Sequence, residues 1–172
     1  NMKIILLTDT HAGLRNDSPV FYNYFAKSFK WFFDEMDKQN IKTVIHLGDL
    51  VDRRKYVNYN TAYRLRKDFL EPLENRGIET HIICGNHDCH WRNTNEVNSL
   101  SEIVDGRYKY IQTYSEPAMI NIDGLWIQLM PWINSSNYEH CMNTIKTTKS
   151  EILIGHLEIN GFELFRGIMS DH

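Results

Sequence analysis

The sequence predicts an α/β fold, and three observations carry that prediction. In the first half, short apolar runs alternate with long helical stretches. In the second half, apolar runs follow one another closely. Four short polar strings each stand directly after an apolar run. The chain has 172 residues, 42% hydrophobic and 24% charged, enough for one domain with a real core. No apolar run is long enough to cross a membrane. The opening Met2-Lys3-Ile4-Ile5-Leu6-Leu7 is too short, and too soon followed by Asp9, for a signal peptide. Cys84, Cys89 and Cys141 are odd in number and form no Cys-x-x-Cys pair, which suits a reducing cytoplasm.

Taken in order, Lys3–Leu7 reads as a strand running into Thr8-Asp9. Phe21–Gln39 reads as a helix, preceded by the turn-forming Asn16-Asp17-Ser18-Pro19. Thr43–Leu47 is a second strand, ended by Gly48. Tyr59–Asn75 reads as a second helix, with Gly77 where a C-terminal glycine cap belongs. Glu79–Cys84 is a third strand, ended by Gly85. This alternation argues for a parallel-type sheet with helices on its faces. Tyr108–Thr113, Ala118–Ile122 and Leu125–Met130 then read as strands, and Asp123-Gly124 is a strong hairpin signal. A short helix is expected at Tyr138–Thr147, a strand at Ile152–Ile154, and the start of another strand at Leu164-Phe165.

The four strings are Asp9-Thr10-His11, Gly48-Asp49-Leu50-Val51-Asp52, Gly85-Asn86-His87-Asp88 and Gly155-His156. In open α/β sheets, loops at the carboxyl ends of the strands gather into one place. Asp9, His11, Asp49, Asn86 and His156 all fall there. Together they offer carboxylate oxygen, imidazole nitrogen and amide oxygen, with no thiolate. That donor set suits manganese, iron or zinc. Asp49, central in the order, is placed to bridge two cations, and two such ions activate a shared water and clamp a phosphate. The net charge of −3 gives no overall attraction to nucleic acid, but Arg53-Arg54-Lys55 and Arg64, Arg66 and Lys67 form a basic stretch after the second string.

Asp-x-His, Gly-Asp-x-x-Asp, Gly-Asn-His-Asp and a later Gly-His, in this order over nearly the whole chain, resemble the calcineurin-like metallophosphoesterases. The resemblance implies a sandwich of two mixed β-sheets flanked by helices. It implies two divalent metal ions, most often Mn²⁺, with Fe or Zn as alternatives. Asp9 and His11 would hold the first, Asp49 would bridge, and Asn86 and His156 would hold the second. His87 would contact the phosphate and protonate the leaving oxygen, with Asp52 holding that imidazole in place. Arg53 matches an arginine that touches phosphate in some members. The family normally closes its site with Gly-His-x-His, and Gly155-His156-Leu157-Glu158 does not match it. The chain is therefore expected to be a single domain, 1–172, ending before that fifth string.

Within the family, Met2–Gly13 and Asp52-Arg53-Arg54-Lys55 resemble the SbcD-type recombination nucleases, their T-even phage members included. So does Gly155–Phe162. That resemblance implies cleavage of DNA, as exonuclease and endonuclease, alongside an SbcC-type coiled-coil ATPase in the cytoplasm. The physical counterpart is the run Arg53 to Lys55, which would lie where a phosphodiester backbone must pass. A phosphatase or small-molecule phosphodiesterase, and a non-catalytic fragment or scaffold, remain the alternatives. The Phe21–Gln39 helix carries aromatics around much of its circumference. One side against the sheet and another against a second copy would explain them, so a homodimer is expected through this helix. Asp88 reads equally as a cap or an ion-pair partner, His46 and His81 as packed strand residues, and His90 and Trp91 as surface or substrate-path residues.

Overall fold

The computed structural model describes residues 2–157 and, beyond them, the backbone of two short strands, Glu163–Phe165 and Ile168–Met169, which pair antiparallel. The order of elements is β1 (Ile4–Leu7), α1 (Leu14–Asp17), α2 (Pro19–Gln39), β2 (Thr43–His46), α3 (Tyr59–Leu65), a π-helical turn (Arg66–Leu70), α4 (Glu71–Asn75) and β3 (Glu79–Ile83). Then come α5 (Ser99–Ile103), β4 (Ile111–Tyr114), β5 (Ala118–Ile122), β6 (Leu125–Met130), α6 (Tyr138–Thr147) and β7 (Ile152–Gly155). The two closing strands are β8 and β9. The strand expected to begin at Leu164 is β8, while Glu158–Phe162 and His172 lie outside the described residues.

The first sheet runs β1-β2-β3-β4, all parallel, and the second runs β5-β6-β7. In the second, β5 and β6 form an antiparallel hairpin and β7 joins β6 in parallel. The hairpin turn has Asp123 at φ 50° and Gly124 at φ 90°, the left-handed pair that a two-residue turn of this twist needs. Parallel register aligns Leu7 with His46 and His46 with Ile82, so the loops after β1, β2 and β3 leave from one end of the sheet. Met130 pairs with Gly155, which brings His156 to the same end of the second sheet.

Alternation along the strands builds two cores. Ile45 and Ile83 point between the sheets, where they meet Ile120, Ile122, Ile127 and Leu129. Val44 and Ile82 point the other way, into a larger cluster with Phe32, Phe33 and Met36 of α2 and Leu65, Phe69, Leu70 and Leu73 of the second helical stretch. The molecule is thus two sheets face to face, with helices over the outer face of the first.

The stretch expected as one helix at Tyr59–Asn75 is helical throughout but carries the π-turn at its centre. Pro72 explains it. A proline has no N–H and its ring clashes with the carbonyl four residues back, so the turn before it widens, and Glu71 N–H bonds to Arg66 O. The helix ends with Gly77 at φ 62°, its N–H on Glu74 O, and Ile78 N–H on Leu73 O, a Schellman cap closed by two buried apolar residues. The helix of α5 was not foreseen, and β4 starts three residues later and ends one residue later than the Tyr108–Thr113 expectation.

Candidate metal centre

All five expected ligands come together at the shared end of the two sheets. Three of them adopt left-handed backbone: Asp9 at φ 52°, His11 at φ 43° and Asp49 at φ 54°. Non-glycine residues rarely take that conformation, and it is kept where the surroundings enforce it. The enforcement is visible. Asp9 N–H bonds to Gly48 O, His11 N–H to Asp49 O and Ala12 N–H to Leu50 O, so the first two loops run side by side. Gly48 and Gly85 press backbone to backbone. A Cβ on Gly85 would stand 2.3 Å from Asp49 Oδ1, and one on Gly48 would stand 2.8 Å from both Gly85 Cα and His156 Nδ1.

The donor atoms converge. His11 Nε2 lies 3.3 Å from Asp9 Oδ1 and 3.8 Å from Asp49 Oδ2. His156 Nε2 lies 3.0 Å from Asn86 Oδ1 and 3.6 Å from the same Asp49 Oδ2. Asp49 therefore stands between two pairs of donors. His156 Nδ1 lies 2.9 Å from Leu47 O, an acceptor, so that nitrogen carries the proton in neutral imidazole. Its Nε2 lone pair then faces Asn86 Oδ1 and Asp49 Oδ2 with no proton among the three. Lone pairs gathered this way repel one another unless a cation lies among them, and the donor set fits divalent ions. Burial by itself would raise the Asp9 carboxyl, but the Thr8 hydroxyl and the nearby His11 and His156 together hold it below the usual range.

His87 stands beside the first group. Its ring packs edge-on against His11 at 4.9 Å, and donor atoms of His11, Asp49 and His87 lie within 4.8 Å of one another. His87 N–H bonds to Asp49 Oδ1 at 2.8 Å, and its Nδ1 lies 2.6 Å from the main-chain carbonyl of Asp52. The expected hold of Asp52 on His87 runs through that carbonyl, not the carboxylate. The carboxylate instead lies 3.4 Å from His11 Nδ1, a buried nitrogen without a hydrogen bond among the described residues. Arg53 is turned toward Asp17, 3.6 Å from Oδ2, and its Nη1 bonds to the Tyr56 hydroxyl at 2.6 Å. With Arg54, Lys55, Tyr56 and His90 it lines a cavity of about 210 Å³.

Two residues matter more than the sequence indicated. Asp88 is buried, and it accepts from the N–H groups of Asp49 (2.9 Å), Gly85 (2.9 Å) and Val51 (3.2 Å). One carboxylate thus locks the second loop to the third. Burial pushes its pKa up to about 6, against the lowering effect of those three amides. His46, also buried, accepts from Gly48 N–H at Nδ1, 3.2 Å, so its Nε2–H donates to Thr10 Oγ1 at 3.1 Å, and Thr10 donates on to Leu50 O. Burial holds His46 near pKa 3 and so uncharged. A histidine in an apolar strand, two residues before Gly48, was the available signal. His81 is a packed strand residue between Tyr114 and Glu79, while His90 meets the exposed Trp91 edge-on, ring centres 4.4 Å apart.

The family described as calcineurin-like phosphoesterase matches residues 2–170. Exonuclease subunit 1 of Enterobacteria phage T4 is 31% identical over 169 residues, 98% of this chain. The chain spans about half the length of that relative, 49%. Among solved structures, a protein of unknown function from Aquifex aeolicus aligns with a TM-score of 0.47 and 20% identity, over 93% of this chain and 81% of that one.

Proposed function

The chain belongs to the calcineurin-like phosphoesterase family, and from that premise we propose that it is a metal-dependent phosphodiesterase that cleaves DNA as an SbcD-type nuclease. The observation that carries this reading is the convergence of Asp9, His11, Asp49, Asn86 and His156 from four loops and two sheets, with His87 alongside. The 31% likeness to a phage exonuclease subunit supports DNA as the substrate.

Two divalent cations held there, Mn²⁺ foremost, would supply an activated water and neutralise charge on phosphoryl oxygens. Asp9 and His11 would hold one, Asn86 and His156 the other, and Asp49 would serve both. His87 donates the proton to the departing sugar oxygen. With Nδ1 engaged by the Asp52 carbonyl, Nε2 is the atom left for that transfer. Arg53, Arg54 and Lys55 line one cavity, and a phosphate backbone passing there would meet them. An SbcC-type ATPase is the expected partner. A homodimer through α2 is supported by Tyr24 and Trp31. They stand one heptad apart, are 66% and 67% exposed, and line a groove of about 580 Å³ beside Asp9.

The test is hydrolysis of linear duplex DNA with Mn²⁺, beside a small phosphate ester. DNA should be cut, Asp49→Ala should lose both Mn²⁺ binding and cutting, and His87→Ala should keep binding while cutting falls at least about a hundredfold. Ester hydrolysis with DNA untouched would overturn the nuclease reading. Equal loss of Mn²⁺ in the two variants would make His87 a ligand instead of the acid. Sedimentation of Trp31→Glu against the parent tests the dimer.

A further inference from the structure

The Gly85–Asp88 loop is bracketed by two cysteines whose sulfurs nearly touch. Cys84 Sγ and Cys89 Sγ lie 3.2 Å apart, and both residues are fully buried. Neither is expected to bind the metal ions, and the catalytic proposal uses neither. We propose that Cys84 and Cys89 form a reversible disulfide that tightens the Gly85–Asp88 loop and weakens the metal centre. The second half of that proposal rests on the metal site proposed above.

The flanks of the loop are pinned. Cys84 continues β3, with its N–H on Tyr114 O at 2.8 Å and its carbonyl taking Trp132 N–H at 2.8 Å. Cys89 forms an antiparallel bridge with Asn98, next to a bond from His90 N–H to Val97 O. The side chains are therefore held facing each other by separate parts of the fold. In the reduced state the Cys84 thiol donates to Gly85 O at 3.6 Å, and the single Cys89 S–H has two acceptors in reach, Gly85 O at 3.3 Å and Asn95 Oδ1 at 3.2 Å. A disulfide has sulfurs about 2.05 Å apart, so closing it draws the pair together by roughly 1.2 Å and removes every S–H donor. The loop has no slack to absorb that movement. Gly85 is already pressed against Gly48 and Asp49, and Asn86 and His87 follow it directly.

The chemistry balances with a peroxide as the two-electron oxidant. One thiol takes an oxygen from hydrogen peroxide, giving a sulfenic acid and water. The sulfur of the second thiol then attacks that sulfur, the S–S bond forms, and the hydroxyl leaves as water with the remaining proton. An external dithiol returns two electrons and two protons and restores both thiols. Disulfides that do form in a reducing compartment are typically transient and catalytic or redox-sensing.

The experiment treats the full chain with hydrogen peroxide, counts thiols after denaturation and measures Mn²⁺ binding by calorimetry. Oxidation should reduce three titratable thiols to one, Cys141, with the Cys84–Cys89 link found in the peptide map. Mn²⁺ affinity should fall about tenfold, the scale of disturbing groups that support a ligand, and return with a dithiol. Cys89→Ser should bind Mn²⁺ like the reduced parent and ignore peroxide. Three thiols surviving oxidation, or links between chains in place of the internal one, would overturn the proposal. Equal Mn²⁺ affinity in the two redox states would overturn the coupling while leaving the metal centre standing. Failure of the reduced protein to bind Mn²⁺ would overturn the metal centre and the coupling together.

Discussion

Asp88 shows how much of a metal centre is built by residues that hold no metal. Its carboxylate collects three main-chain N–H groups from two loops, and Ser99 Oγ approaches it at 3.4 Å. An asparagine in its place keeps one oxygen and turns an amide donor toward groups that are themselves donors. Each buried N–H left unpaired costs about 1–3 kcal/mol. Asp88→Asn is therefore expected to lower unfolding free energy in urea by that amount or more, and to weaken Mn²⁺ binding although no ligand has changed. Wild-type stability in this variant would mean that the carboxylate is incidental. The sequence could not rank Asp88, because a carboxylate after a histidine reads equally well as a cap. Its burial and its three partners appear only once β2 and β3 are paired. Asp9, His11, Asp49, Asn86 and His156 were legible for the opposite reason: each is marked locally, by an apolar strand just before it.

Strands were the most readable elements, since their apolar runs end at glycine or aspartate, and β5, β6 and α6 match their expected ranges residue for residue. The π-turn was less visible. Thr61, Leu65, Phe69 and Leu73 are all buried at a strict spacing of four, which drifts by about 40° per step on an α-helix of 3.6 residues per turn. Inserting a wider turn before Pro72 returns the stripe to the sheet, and the proline was the clue. Phe69 sits at the centre of this join. It is wholly buried, stacks on Phe29 at 5.0 Å and approaches Phe32 and Phe33 at 6.5 Å each. Phe69→Ala should destabilise the fold by about 3–5 kcal/mol, as large-to-small changes of buried aromatics do, read from the urea midpoint at constant m-value. A loss below about 1 kcal/mol would show that α2 and the second helical stretch are not one packed layer.

At the scale of the whole molecule, the centre straddles the two sheets. Asp9, His11, Asp49 and Asn86 follow strands of the first, and His156 alone follows a strand of the second. Apart from the Ile45–Ile83 face, the sheets are tied at this end by His156 Nδ1 on Leu47 O and by Trp132 N–H on Cys84 O. A bound ion adds a further tie, one that exists only in the folded state. Anything that binds only the folded state stabilises it by RT ln(1 + [L]/Kd), about 2.7 kcal/mol at a hundredfold excess over Kd. For a chain of this size that raises the melting temperature by roughly 5–10 °C. Mn²⁺ should therefore raise the transition by that margin over a chelator-treated sample, and Asp49→Asn should abolish the shift. His156→Ala separates the two halves of the site. An ion held by Asp9, His11 and Asp49 would rest wholly on residues of the first sheet, so part of the shift should survive, while the part that joins the sheets is lost. An undiminished shift in His156→Ala would mean that the second sheet contributes nothing to ion binding, and that Asn86 and Asp49 hold the second ion without it.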